Sequence, residues 1–233
     1  RGQGRTPDMA KALTEGSMSE TKAKKAPSTL ELKRIARMEE LLKTERVWWD
    51  QGMSVAGMDE VGRGPLAGPV VTACVMIPPD AVIPGADDSK KLSEKRREQL
   101  APLLIENASY VALGSASPER IDEINILEAT REAMNEAARG CPCDILLVDA
   151  MTGLNCGSRT ESIIHGDATS YMIAAASIIA KVHRDSIMIE MDKIYPEYGF
   201  ARNKGYGTAE HIAALEKYGP CPIHRRSFIS KWL

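Results

Sequence analysis

The chain has 233 residues, 43% hydrophobic and 27% charged, which supplies enough apolar material for one domain with a true core. A formal net charge of −2 excludes a globally basic nucleic-acid binder, so any such surface must be a local patch. The longest apolar run, Met172 to Val182, carries Lys181 and falls short of the roughly 20 residues of a membrane helix. No membrane partner is therefore expected, and without the apolar core of a secretory signal the expected location is cytoplasmic.

Residues 1–27 are rich in Gly, Ser, Thr, Lys and Ala, and such a composition predicts a disordered segment. Met18 is a candidate start within it. Ser28-Thr29-Leu30-Glu31 has the capping-box pattern and opens an N-terminal helix over 28–50, with Ile35, Met38, Leu41 and Leu42 at helical spacing. Its Arg34, Arg37, Lys43 and Arg46 suit a solvated face better than a DNA-contacting arm. Residues 51–233 then form one domain. Val55 to Val61 reads as a strand, broken by Gly62-Arg63-Gly64-Pro65, and Val70 to Ile77 as a strand returning antiparallel to it. Leu92 to Glu106 predicts a helix capped by Ser93, and Tyr110 to Ser115 a third strand. Ser117-Pro118 starts a helical region that Ile126 to Ala138 continues. Ile145 to Val148 is a short apolar strand of the kind buried on both faces. Ser170 to Ile194 is a long helix whose Ala174, Ala175 and Ala176 permit close packing, and Thr208 to Tyr218 a shorter one closed by Gly219. The fold class implied is α/β, a mixed sheet flanked by helices.

The five cysteines, at 74, 141, 143, 156 and 221, are odd in number and scattered, which suits reduced thiols rather than disulfides. Cys141-Pro142-Cys143 lacks the second pair a zinc site needs.

The acids at element ends carry the chemistry. Asp59 and Glu60 close the first strand, Asp149 follows the buried run Ile145 to Val148, and Asp185 lies in the long helix. Successive strand residues point to opposite faces, so Asp59 and Glu60 meet one spot only if the strand kinks or ends there. Two carboxylates about 5 Å apart repel by roughly 3 kcal/mol at an effective dielectric near 20, which protonation or a hard cation must relieve. Oxygen ligands favour Mg2+ or Mn2+, and a pair of such ions suits phosphodiester hydrolysis. Taken singly, each acid suits capping or a surface ion pair better than a metal, and Gly62-Arg63-Gly64 alone suits an ordinary tight turn better than a ligand site. Asp167 is read as a helix cap, His165 as loop structure, and His211 as a local hydrogen-bond partner.

Five ordered blocks resemble the type 2 ribonuclease H family, ribonuclease HII: Asp59 to Val70, Asp88 to Ser93, Ala174 to Lys181 with Arg184-Asp185, Lys204 to Thr208 with His211, and His224 to Phe228. The resemblance implies a ribonuclease H-like sheet with a small helical C-terminal extension, 51–233 being the catalytic domain. It implies an endoribonuclease that cuts RNA–DNA hybrids, and ribonucleotide-containing duplex DNA on the 5′ side of the ribonucleotide, leaving a 3′-hydroxyl and a 5′-phosphate. By the same resemblance, Asp59, Glu60, Asp149 and Asp185 hold two Mg2+ or Mn2+ ions. Gly62, Arg63 and Gly64 sense the ribose 2′-hydroxyl, Tyr206 packs on the neighbouring deoxyribose, and Lys90 and Lys91 meet phosphates. His183 and Asn203 depart from the family pattern, outside the acidic set. A monomer is expected.

Overall fold

The computed structural model of the protein describes residues 27–232. The expected disorder of the N-terminal segment, Pro27 apart, and the candidate start at Met18 lie outside the described residues.

Ser28 closes a capping box with Glu31, its backbone N–H donating to Glu31 Oε2 at 2.7 Å, and opens α1 (Thr29–Leu41). Leu42 separates α1 from α2 (Lys43–Trp49). Met38, Leu41 and Leu42 are buried in the same cluster as the centre of the sheet. At about 1.5–3 kcal/mol for each fully buried side chain of this size, that attachment makes the helical pair part of the domain. Buried Glu45 of α2 accepts from Ser170 Oγ at 2.5 Å and from the Met172 amide at 3.0 Å, placing a carboxylate at the start of a long helix where free N–H groups favour one.

Five strands form one sheet: β1 (Val55–Val61), β2 (Val70–Met76), β3 (Tyr110–Ala116), β4 (Ile145–Asp149) and β5 (Arg159–Ile163). Their spatial order is β3-β2-β1-β4-β5. The first three are antiparallel neighbours, whereas β4 runs parallel to β1 and β5 parallel to β4. Between β2 and β4 run α3 (Glu94–Asn107), capped by Ser93, then α4 (Pro118–Ile124) and α5 (Ile126–Ala138). The single helical region expected here is two helices. Asn125 adopts a left-handed φ of 70° and its side chain accepts from the Leu127 and Glu128 amides, ending one helix and capping the next. After β5 come α6 (Gly166–Thr169), α7 (Tyr171–Ile194), α8 (Phe200–Asn203), α9 (Ala209–Tyr218) and α10 (Arg226–Ile229).

Residue alternation assigns the two faces. Val71, Ala73 and Val75 of β2 pack with α1, α3 and α7, while Ala56, Met58, Cys74, Leu146 and Val148 pack with Met134, Ala137 and Ala138 of α5. The small residues of α7 let it approach closely: a Cβ on Gly57 in β1 would stand 2.3 Å from the Met172 backbone carbon. The chain after α7 forms a helical C-terminal part with its own small clusters, around Met188, Tyr198 and Phe200 and around Leu66, Leu215 and Ile229.

Candidate active site

Parallel neighbours end at the same edge of a sheet, and the register pairs Met58 with Val148, so the next residues, Asp59 and Asp149, emerge side by side. By alternation both lie on the α7 face. Asp59 is buried there, and its carboxylate accepts the Glu60 amide at 2.8 Å. Glu60, still paired with Thr72 of β2 and two residues before Gly62, lines the same cavity of about 100 Å³ as Asp59, with Ser89, Lys90, Arg97, Ser177, Lys181 and Tyr206.

The electrostatics are those of crowded carboxylates. Burial, then the charge of Glu60, pushes Asp59 up to about 8; Ser177 opposes the shift and Asp149 adds to it. Glu60 is raised by burial, against the Arg63 guanidinium 3.3 Å away, and Asp149 is raised by burial with a further push from Asp167. Asp167 is therefore not the simple cap that its position suggests, because Ser170 caps α7. It is buried, acts on Asp149, and takes Lys90 Nζ at 2.9 Å. Asp185 stands apart. It is held by Lys181 at 2.6 Å and Arg97 at 3.8 Å, the two cations that face the cavity, and does not itself line it. Glu60 and Asp149 thus act on Asp59, Asp149 acts on Glu60 and Asp167 acts on Asp149, whereas Asp185 is held by two cations; of these acids Asp59 and Glu60 line the cavity itself. Lys90 reaches the group, whereas exposed Lys91 acts on Asp87 instead.

Among the described residues no three His, Cys, Asp or Glu side chains stand as a closed ligand set. The donors nonetheless suit a hard cation. They are carboxylate oxygens, Glu60 Oε2 is buried without a hydrogen-bond partner among the described residues, and burial beside Glu60 and Asp149 raises Asp59. A larger apolar groove of about 370 Å³ lies at the opposite end of the sheet between Trp49, Pro78 and Pro79, and carries no such chemistry.

The glycine turn is held from beneath by two arginines, both 0% exposed and, among the described residues, neither paired with a carboxylate. Arg225 donates to the carbonyls of Gly62 (2.6 Å), Arg63 (2.9 Å) and Gly68 (2.7 and 2.9 Å). Arg184 donates to Ala67 (3.1 Å), Pro69 (2.9 Å) and Lys204 (2.9 Å). Gly62 has φ 93°, and a Cβ there would lie 2.2 Å from Arg184 Nε, so conformation and space both require glycine. Gly64 faces open space. The turn is therefore not ordinary punctuation but a backbone surface fixed by buried charge.

The chain matches the family model described as Ribonuclease HII over residues 56–231. It is 50% identical over 202 residues to the ribonuclease HII of Caldanaerobacter subterraneus subsp. tengcongensis, covering 85% of this chain and 84% of that protein. The chain belongs to the ribonuclease HII family. Members of this family are endoribonucleases. Two solved structures share the fold. The ribonuclease HII of the Archaeoglobus fulgidus PCNA complex has TM-score 0.66 and 26% identity, over 76% of this chain and 94% of that one. The ribonuclease H2 of Pyrococcus horikoshii OT3 has TM-score 0.65 and 28% identity, over 77% and 97%. The mixed sheet is thus the ribonuclease H-like fold expected from the sequence.

Tyr206 is 41% exposed at the cavity wall, its ring centroid 5.9 Å from the Arg184 guanidinium. Lys204 and Gly205 before it are both left-handed, at φ 51° and 84°. Sequence reasoning gave no individual role to Arg184, Arg225 or Ser177, and gave Asp167 only that of a helix cap. Arg225 was visible only as part of a basic cluster, and a buried guanidinium bonded to carbonyls leaves no charge partner to find in the sequence. Ser177 touches Asp59 and is 2.8 Å from Ser89, but looks like any small residue of a packed helix.

Proposed function

We propose that this chain hydrolyses the RNA strand of RNA–DNA hybrids and also cuts duplex DNA on the 5′ side of a single embedded ribonucleotide, leaving a 3′-hydroxyl and a 5′-phosphate. Family membership implies RNA-strand cleavage in RNA–DNA hybrids and dependence on a divalent cation. The observation that carries the finer reading is the placement of Asp59 and Asp149 at neighbouring strand ends, with Glu60 joining them beside a turn built of exposed backbone.

Asp59, Glu60 and Asp149 would hold Mg2+ or Mn2+, with Asp167 as the fourth acid in place of Asp185. A pair of such ions, when bound, supplies an activated water and charge stabilisation at the leaving oxygen. The protein's own groups do the rest. Asp185 orients Lys181 and Arg97 toward the cavity, where they meet substrate phosphates. Lys90, tethered by Asp167, contacts the phosphate chain, and exposed Lys91 adds a more distant contact. Gly62, Arg63 and Gly64 bring backbone atoms to the ribose, where the 2′-hydroxyl separates RNA from DNA. Tyr206 lays its exposed ring on the neighbouring deoxyribose. Contacts to sugar and phosphate carry little base information, so low sequence preference follows. The protein acts as a monomer in the cytoplasm; among the described residues no helix is long and apolar enough to cross a membrane.

The test is cleavage of a DNA duplex containing one ribonucleotide, with Mg2+, Mn2+ or chelator, beside an all-DNA duplex and the Asp59→Asn variant. Metal-dependent cutting 5′ of the ribonucleotide, absent from both controls, is expected. Cutting of continuous hybrids alone would remove the single-ribonucleotide activity. Cutting of neither substrate by folded protein would reduce the chain to a hybrid-binding module.

A further inference from the structure

Two buried histidines outside the acidic site form a hydrogen-bonded line that ends on the backbone of Tyr206. His211 is 0% exposed and His224 2%, and Tyr198 and Phe200 pack around both rings. The line begins at the Cys221 amide, which donates to His224 Nδ1 at 3.0 Å. A ring nitrogen that accepts an N–H bears no proton, so a neutral His224 carries its hydrogen on Nε2. That atom lies 3.0 Å from His211 Nε2, which must therefore accept. The His211 proton is then on Nδ1, 2.9 Å from the Tyr206 carbonyl. One backbone N–H thus fixes both tautomers and leaves a single donor aimed at Tyr206. Burial lowers both histidines, His224 to about 4, in agreement with neutral rings.

The next residue does the matching task for the other recognition loop. Arg225 grips the carbonyls of Gly62 and Arg63 directly, while its amide donates to Leu66 O at 2.9 Å. Leu66 N in turn donates to Gly205 O at 2.8 Å, next to Tyr206. We propose that the adjacent pair His224-Arg225 sets the separation between the Gly62 turn and Tyr206, with His211 and His224 as positioning residues for Tyr206. This rests on the proposed role of Tyr206 in reading the sugar next to the cut. A ring held to a fraction of an ångström distinguishes an RNA-to-DNA step from continuous RNA, and a loop free to shift does not.

Two variants at one position separate positioning from simple structural support. In His211→Asn the amide nitrogen replaces Nδ1 and still donates to Tyr206 O, but the link to His224 is lost. In His211→Gln the side chain reaches His224 and still accepts from it, but no donor remains for Tyr206. Each variant thus loses one of the two hydrogen bonds. The measurement is kcat and KM on the single-ribonucleotide duplex and on a continuous hybrid, for wild type, both variants and Tyr206→Ala, alongside Tm and the imidazole 15N shifts of wild type. The 15N shifts should report Nδ1–H for His211 and Nε2–H for His224. His211→Gln should lower the ratio of single-ribonucleotide to hybrid cleavage by about tenfold, toward that of Tyr206→Ala. His211→Asn should stay within about threefold of wild type at a comparable loss of Tm. Equal ratios in Asn and Gln variants, or ratios that follow Tm alone, overturn the inference while leaving Tyr206 in place. A Tyr206→Ala ratio equal to wild type overturns the reading of Tyr206 itself, and the functional role of the relay falls with it.

Discussion

In chelator, Asp59→Asn should make the protein more stable, although with metal it should abolish cleavage. Burial and neighbouring acids push Asp59 from 3.8 to about 8, whereas in the unfolded chain it ionises freely. At pH 7 folding therefore takes up close to one proton. The interval of about three pKa units at about 1.4 kcal/mol each sets a ceiling of about 4 kcal/mol on the penalty. Asparagine is never charged, and its Oδ1 still accepts the Glu60 amide that bonds Asp59 Oδ1 at 2.8 Å. With relaxation of the site, a gain of about 2 kcal/mol is expected, or about 4–8 °C in Tm for a chain of this size. The sign fixes the pH window. A carboxyl raised by folding exacts no penalty below about pH 4, where it is protonated in both states, and the penalty grows as pH rises toward 8. Thermal melts of both proteins in chelator from pH 4 to 8 should give curves that coincide at the acid end and diverge toward neutrality. Adding Mg2+ or Mn2+ should stabilise wild type and close the gap. An Asn variant no more stable than wild type at pH 7, or a gain independent of pH, refutes the account of Asp59 as an acid strained for want of a cation.

Asp167→Asn should lower kcat by more than about 100-fold and Asp185→Asn by no more than about tenfold, since one joins the carboxylate group and the other holds Lys181 and Arg97; the reverse order in a steady-state assay would restore Asp185 to the metal site. Gly57→Ala should cost about 3 kcal/mol or more in urea unfolding, because its methyl group would lie 2.3 Å from the backbone of α7 and neither element can yield without moving the other. Arg225→Met should cost more than about 3 kcal/mol by the same measurement, as it strips donors from the Gly62, Arg63 and Gly68 carbonyls at about 1–3 kcal/mol for each buried acceptor left unmet; a loss under 1 kcal/mol would mean that water replaces the guanidinium.

What the sequence made legible was whatever local chemistry decides. Ser28, Ser93, Ser117 and Thr208 cap the helices that begin beside them. The apolar runs at 55–61, 70–77 and 145–148 became strands, the second ending at Met76, with the first two antiparallel. β5 was not legible, because Arg159-Thr160-Glu161-Ser162-Ile163 has neither an apolar run nor a buried stripe; it is a strand only because β4 offers it an edge. The break at Asn125 was hidden by good helix formers on both sides, and only its left-handed backbone reveals it. The acids show the same division. That Asp59 and Asp149 end strands follows from the pattern, but which of Asp167 and Asp185 joins them depends on where a four-residue helix after β5 sits and on which lysine reaches which carboxylate. Nothing local encodes either.

The buried guanidinium of Arg225 also governs what the outside of the Gly62 turn offers. In a trans peptide the carbonyl and the following N–H point in opposite directions. Drawing the oxygens of Gly62 and Arg63 inward therefore turns the amide hydrogens of Arg63 and Gly64 outward. A visitor to this turn meets a pair of proton donors of fixed direction, and the lone pairs that would repel an electron-rich oxygen are sequestered beneath. If this turn meets the sugar as proposed, a preference for a hydroxyl oxygen over a bare methylene would be written into the orientation of two peptide planes.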